Sequence, residues 1–186
     1  MPPSFRGPEA GGGGRAGHAV EPRVGDVYLS AAEIATRVAE LGAALADEYG
    51  GREPLLVAPL KASLVFLADL SRALPIIHRL DFLELASYDG GGNGRSIRLL
   101  KDLDEPLERR DVIVVEDVVD TGLTLNYVRK TLELRGPASL AAVTLLDRPY
   151  RRLVEDLPVR HVGFTVPDEF FVGYGFDLGE RFRNLP

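Results

Sequence analysis

Hydrophobic positions change period several times along this chain. Residues 30–51, SAAEIATRVAELGAALADEYGG, place Ile34, Val38, Leu41 and Leu45 at helical spacing. Ser30 and Glu33 form a capping-box pattern in front of them, and Gly50 and Gly51 stop the run. PLLVAPL (54–60) is short, apolar and strand-like, and SLVFLADLSRAL (63–74) returns to helical spacing. IIHRLDFLELASY (76–88) reads as a strand and DGGGNGRS (89–96) as a flexible loop. After IRLLKDLDEPLERR (97–110) comes the strand VIVVE (112–116). A helix is expected from about residue 123 to 135, ended by Gly136 and Pro137. SLAAVTLL (139–146) and HVGFTVP (161–167) read as two further strands.

Strands thus alternate with helices, and several strands are apolar on both faces. That pattern predicts an α/β fold, a mostly parallel sheet flanked by helices. Ligands in such folds bind beyond the carboxyl ends of the strands. Composition sharpens the picture. The 186 residues suffice for one domain with a core. Glycine and proline dominate residues 1–23, which read as a disordered tail before a domain over 24–186. Net charge is −6 with no basic block, so no nucleic-acid partner is expected. No apolar run reaches the roughly 18 residues of a membrane span, and no signal-peptide stretch opens the chain. Cysteine is absent, which excludes a disulfide framework and fits a cytoplasmic protein.

The chemistry concentrates in VIVVEDVVDTGLTL (112–125). Glu116, Asp117 and Asp120 follow a strand, so they are expected at the rim where ligands sit. Thr121, Gly122, Leu123 and Thr124 lie between that strand and a helix. Backbone N–H groups in such a turn, the helix N-terminus and threonine hydroxyls together make a phosphate cup. Carboxylates beside a phosphate repel it unless they have other work. That work is accepting hydrogen bonds from sugar hydroxyls, organising Mg²⁺, or taking a proton.

This strand–turn–helix resembles the phosphoribosyl-pyrophosphate (PRPP) motif of type I phosphoribosyltransferases. LLDRPYRR (145–152), HVGFTVPDEFFVGYGFD (161–177), ERFRNLP (180–186) and PLKASLVFLADL (59–70) are similar to segments of the hypoxanthine-guanine branch. The resemblance covers roughly residues 25–186. It implies the type I fold with a small hood and a mobile flap. It implies a purine salvage enzyme that moves a ribosyl phosphate from PRPP to hypoxanthine, and to guanine as well, with Mg²⁺ as cofactor. A homodimer or homotetramer is the family's assembly.

The resemblance also assigns roles. Glu116 and Asp117 bind the ribose hydroxyls and reach Mg²⁺ indirectly. Asp120 is the general base beside the purine N7. Thr121, Gly122, Leu123 and Thr124 hold the 5′-phosphate. Lys61, after a Leu60–Lys61 peptide that is often cis in the family, and Arg183 contact pyrophosphate. Ser87 and Tyr88 belong to the flap (86–92). Arg148, His161, Val162 and Asp168 form the purine pocket, with Asp168 supporting a second Mg²⁺.

The chain departs from the family pattern in places. Arg148 stands where the family has a lysine that donates to the purine 6-oxo group, and an arginine fork is not equivalent to an ammonium. His161 is expected to replace a stacking Phe or Tyr. Ala62 follows the loop lysine where glycine is common. The sequence given ends at Pro186, where the family continues into a short strand. Two alternatives stay open. One is transfer to another nucleobase such as xanthine. The other is a non-catalytic PRPP-binding regulator.

Overall fold

The structure, a computed structural model, describes residues 24–89 and 95–186. The expected tail, 1–23, and residues 90–94 of the expected flexible loop lie outside them. Helix α1 (Ala31–Tyr49) starts on the predicted capping box. Ser30 N–H donates to Glu33 Oε2 at 2.8 Å, and Glu33 N–H donates to Ser30 Oγ at 3.3 Å. These bonds satisfy N–H groups that a helix start leaves without partners. Strand β1 (Leu55–Leu60), helix α2 (Leu64–Ala73) and strand β2 (Arg79–Asp89) follow. Then come β3 (Arg95–Lys101), β4 (Asp111–Val119), α3 (Leu123–Glu133), β5 (Ser139–Asp147) and β6 (Val159–Thr165).

Two elements differ from expectation. β3 lies in a stretch to which no element was assigned, and pairs antiparallel with β2. Its exposure alternates from Ile97 to Lys101. The outward Arg98 and charged flanks suit an edge strand that must resist pairing with other chains. β4 also runs three residues past Glu116, so Glu116 and Asp117 are strand residues rather than loop residues. Ile113 and Val115 pack into one core, and Val112 and Val114 into the other. Past the acids, Val118 packs with the first and Val119 with the second. The strict alternation of a strand therefore slips by one residue at the Glu116–Asp117 pair.

The six strands are ordered β3-β2-β1-β4-β5-β6, and every neighbouring pair except β2–β3 is parallel. The chain builds outward from β1, then returns to pair β4 on the other side of β1. That reversal is the point where open α/β sheets leave a crevice beyond the strand ends. It lies between Leu60 of β1 and the acids of β4.

α1 and α2 cover one face of the sheet, around Leu41, Leu45, Phe66 and Leu70. α3 covers the other through Leu125, Val128 and Leu132. Residues 24–30 and the C-terminal segment meet where Tyr28 and Phe171 pack at 5.0 Å between ring centroids. Among the described residues, no helix is long and apolar enough to cross a membrane.

Phe66 is fully buried between α1, α2 and the sheet. Phe66→Ala is expected to destabilise the fold by about 3–5 kcal/mol. A urea titration reads this as a lower midpoint at an unchanged slope.

Candidate active site

The centre of the sheet delivers the acids to the crevice. Val112, Val114 and Val115 are inaccessible to solvent, and Ile113 nearly so, which anchors β4 up to Glu116. Burying side chains of this size contributes about 1.5–3 kcal/mol each. Glu116 shares this burial at 4% exposure, and its Oε1 has no hydrogen-bond partner in the protein. Burial, then the neighbouring Asp117 charge, pushes the Glu116 carboxyl well above the usual range. Asp117 is lifted to about 6 by burial, against bonds from its own and Val118 N–H groups and the pull of Arg183. Asp120 Oδ1 is likewise buried and without a partner. A buried acceptor left without a donor inside the protein is suited to one supplied by a ligand.

Helix α3 begins directly after these acids with a glycine N-cap that offers no side chain, and a long bond from Leu123 N–H to Thr121 Oγ1, at 3.4 Å, is made at its start. Gly122 starts it at φ 82°, in the left-handed region, and a Cβ there would lie 2.7 Å from Leu157 Cδ1. The left-handed conformation favours glycine at this turn, and any side chain there would also have to move the Leu157 methyl aside. Leu123 and Thr124 are exposed and Thr121 is partly exposed around the first N–H groups of the helix. A helix start held by so little, with hydroxyls beside it, suits an anion.

The opposite wall is cationic. The Leu60–Lys61 peptide is cis, at the end of β1. Lys61 Nζ lies 3.0 Å from Glu180 Oε2. Arg183 donates to the Gly175 carbonyl at 2.7 Å and pairs with Asp177 at 2.7 Å and Glu180 at 3.3 Å. Gly175 also lets the loop after β1 pack close, since a Cβ there would meet the Ala62 carbonyl oxygen at 2.2 Å. Tyr174, Glu180 and Phe182 are non-glycine residues at positive φ in the same segment, a backbone held out of its preferred regions by its surroundings.

Beyond β5, Arg148 bridges two carboxylates. Nη2 pairs with Asp168 Oδ1, and Nη1 lies 3.9 Å from Asp120 Oδ2. Arg151 Nη1 stands 3.6 Å from both of those oxygens.

Three expected pocket residues are elsewhere or otherwise engaged. His161 lies four residues before the end of β6, paired with Val143, whereas Thr165 pairs with Asp147 at the rim. Four strand residues amount to about 13 Å. Its Nε2 is 2.9 Å from Glu48 Oε2 on α1, so it does not stack at the site. The Val162 carbonyl accepts from Arg37 Nη2 at 2.7 Å. Asp168 Oδ1 is engaged by Arg148 and Arg151. β6 ends at Thr165, so residues 166–177 of that motif lie past the strand end. There Phe170 exposes its ring near Asp168, and Asp177 acts electrostatically on Asp117. The signal was the aromatic pair Phe170-Phe171, a few residues past the strand and after Pro167-Asp168-Glu169. Ser87 and Tyr88 lie on β2 opposite Ile97 and Ser96, and their side chains fall outside the described positions.

An apolar cavity of about 450 Å³, lined by Tyr28, Phe171, Tyr174 and Phe182, adjoins this site and shares Phe170 with it. It contains none of the acids of β4, so the chemistry lies at the crevice instead.

A family model described as phosphoribosyl transferase domain matches residues 25–177. This chain belongs to that family. The phosphoribosyltransferase is 48% identical over 164 residues to hypoxanthine phosphoribosyltransferase of Salmonella typhimurium, spanning 87% of this chain and 92% of the relative. It is 42% identical over 161 residues to hypoxanthine-guanine phosphoribosyltransferase of Bacillus subtilis, spanning 86% and 89%. A crystal structure of a Bacillus anthracis hypoxanthine-guanine phosphoribosyltransferase superposes with TM-score 0.82 at 40% identity, over 88% and 94%. A Trypanosoma cruzi hypoxanthine phosphoribosyltransferase holding the product IMP superposes with TM-score 0.77 at 37% identity, over 83% and 87%. The phosphoribosyltransferase is thus a transferase with the type I fold.

Gly175→Ala in this phosphoribosyltransferase is expected to cost about 2 kcal/mol or more, from left-handed strain and the clash with Ala62. Chemical denaturation measures it; a loss under about 0.5 kcal/mol means the loop yields freely.

Proposed function

We propose that this phosphoribosyltransferase transfers the 5-phosphoribosyl group from PRPP to hypoxanthine, and to guanine, giving IMP or GMP and pyrophosphate. The observation that carries this reading is the pair of buried, partnerless carboxylate oxygens, on Glu116 and Asp120, beside the start of α3. Ribose hydroxyls are suited to donate to the partnerless Glu116 oxygen and to the Asp117 carboxylate beside it. The 5′-phosphate suits the N–H groups at Gly122, Leu123 and Thr124 and the hydroxyl of Thr121. Lys61 and Arg183 suit the diphosphate, which would displace Glu180 from exposed ion pairs that hold it weakly.

In the reaction the purine N9 bonds to the ribose C1′ as the bond from C1′ to the diphosphate oxygen breaks. The N7 proton passes to Asp120. Developing negative charge on the leaving diphosphate is met by Lys61 and Arg183. Arg148 donates to the purine 6-oxo group, and the exposed ring of Phe170 offers the stacking face that His161 does not. Among the described residues no cluster of three acidic or histidine side chains could cage a metal. The donors instead fit Mg²⁺ brought by the diphosphate, with Asp177 and Asp117 as the nearby carboxylates, in keeping with its preference for phosphates and water. Bound there, Mg²⁺ would neutralise diphosphate charge.

The test is pyrophosphate release from PRPP and Mg²⁺ with hypoxanthine, guanine, xanthine, adenine and uracil side by side. Strong release with hypoxanthine or guanine is expected. Release only with another base overturns the substrate, and none with any base, despite PRPP binding, overturns the enzyme. Asp120→Asn is expected to lower kcat by about 100- to 10,000-fold with PRPP affinity nearly unchanged. An undiminished kcat rules out the general base.

PRPP affinity carries a pH signature. Hydroxyl donors need an ionised Asp117, whose carboxyl is lifted to about 6. Affinity is therefore full above that pH and falls as pH drops through it, by about tenfold per unit for one proton. Calorimetric titrations across that range should show this limb, and Asp117→Asn should flatten it.

A further inference from the structure

We infer that Asp168 is a positioning residue that fixes the guanidinium of Arg148 for recognition of the base. This rests on the reading of Arg148 as the donor to the purine oxygen. Arg148 is the most buried member of a four-group network, with 14% of its side chain exposed. Its Nη2 is tied to Asp168 and its Nε has no partner, so the Asp168 contact is the one hydrogen bond made by this side chain among the described residues. The other arm, Nη1, stops 3.9 Å from Asp120, beyond hydrogen-bond length. Asp168 therefore holds the fork short of the general base and leaves a gap between them.

Two cations and two carboxylates share this space. Arg151 reaches Asp120 and Asp168 equally, at 3.6 Å each, and is half exposed. Without the Asp168 charge, both guanidiniums face a single carboxylate, Asp120, whose Oδ1 is open to a partner. The planar fork of Arg148 then closes on Asp120 in a charge-assisted, two-point pair. That pair occupies the donors meant for the purine oxygen and the acceptor meant for the N7 proton. A lysine at this position would not behave the same way. A single ammonium has no second arm to be held back, so the dependence on Asp168 belongs to arginine's geometry.

Asp168 is more than half exposed, so Asp168→Asn should fold normally. The experiment measures KM for hypoxanthine, KM for PRPP and kcat in Asp168→Asn, Arg148→Lys and the double variant. Asp168→Asn is expected to raise KM for hypoxanthine about tenfold or more, equivalent to about 1.4 kcal/mol, while KM for PRPP stays within about twofold. In the Arg148→Lys background the same change should shift KM by less than about threefold, because the fork is gone. Asp168→Glu should recover much of the loss. Equal effects in both backgrounds, or KM for PRPP rising in step, overturn the inference in favour of general loosening. Arg148→Ala separates the two levels. If it leaves KM for hypoxanthine unchanged, the role of Arg148 fails. If it raises that KM but Asp168→Asn does not, only the positioning role of Asp168 fails.

Discussion

Parallel pairing of β1 with β4 at the middle of the sheet is the constraint on which the site depends. It puts the ends of two strands side by side where chain direction through the sheet reverses. One strand ends in the Leu60–Lys61 peptide and the other in Glu116, Asp117 and Asp120. Cation and carboxylates thus arrive from opposite sides of a single crevice, each carried by a strand buried on both faces. Loops alone would not hold them so closely. The valines of β4 fix where the acids emerge, and α3 starts immediately afterwards with its N–H groups pointing into the same space.

The acids are tolerated there because they are unequal. Glu116 is sealed between sheet and core and strongly disfavours its charge. Asp117 has two backbone N–H bonds and Arg183 to offset its burial. Asp120 faces two guanidiniums. A site that must accept a polyanion therefore does not present three full negative charges to it. The carboxylates become useful acceptors when hydroxyl donors arrive, and the anion is met by groups across the crevice.

Sheet, helices and the phosphate turn were legible because each rests on local chemistry. α1 announces itself by Ser30 and Glu33, β4 by an unbroken β-branched run, and the turn by Gly122 between threonines. β3 was overlooked because an edge strand carries charges that blur its alternation. That His161, expected at the purine pocket, instead contacts α1 was hidden for a different reason. Motif spacing locates residues along the chain but not relative to a strand end. His161 and Phe170 belong to the same motif, yet β6 ends between them. Only the register of β6 on β5 separates the residue that binds α1 from the one that reaches the rim. Asp168 lies on the correct side of that boundary, but its role depends on a contact with Arg148 that no periodicity encodes.

Arginine at position 148 gives this crevice a geometric problem that lysine would not. Its fork has two arms, and Asp120, the general base we propose, is the nearest carboxylate to one of them. On the proposed roles, an arginine free to pair with Asp120 would bind it in two places and leave neither group for the purine. The structure resolves this by giving the other arm a stronger partner on the far side and by placing Arg151 between the two acids. The cation is then held near Asp120 without being bonded to it. If Arg148 and Asp120 act as proposed, recognition of the base and removal of its proton occur side by side only while that separation is kept, which makes the departure at Arg148 and the carboxylate at Asp168 one feature.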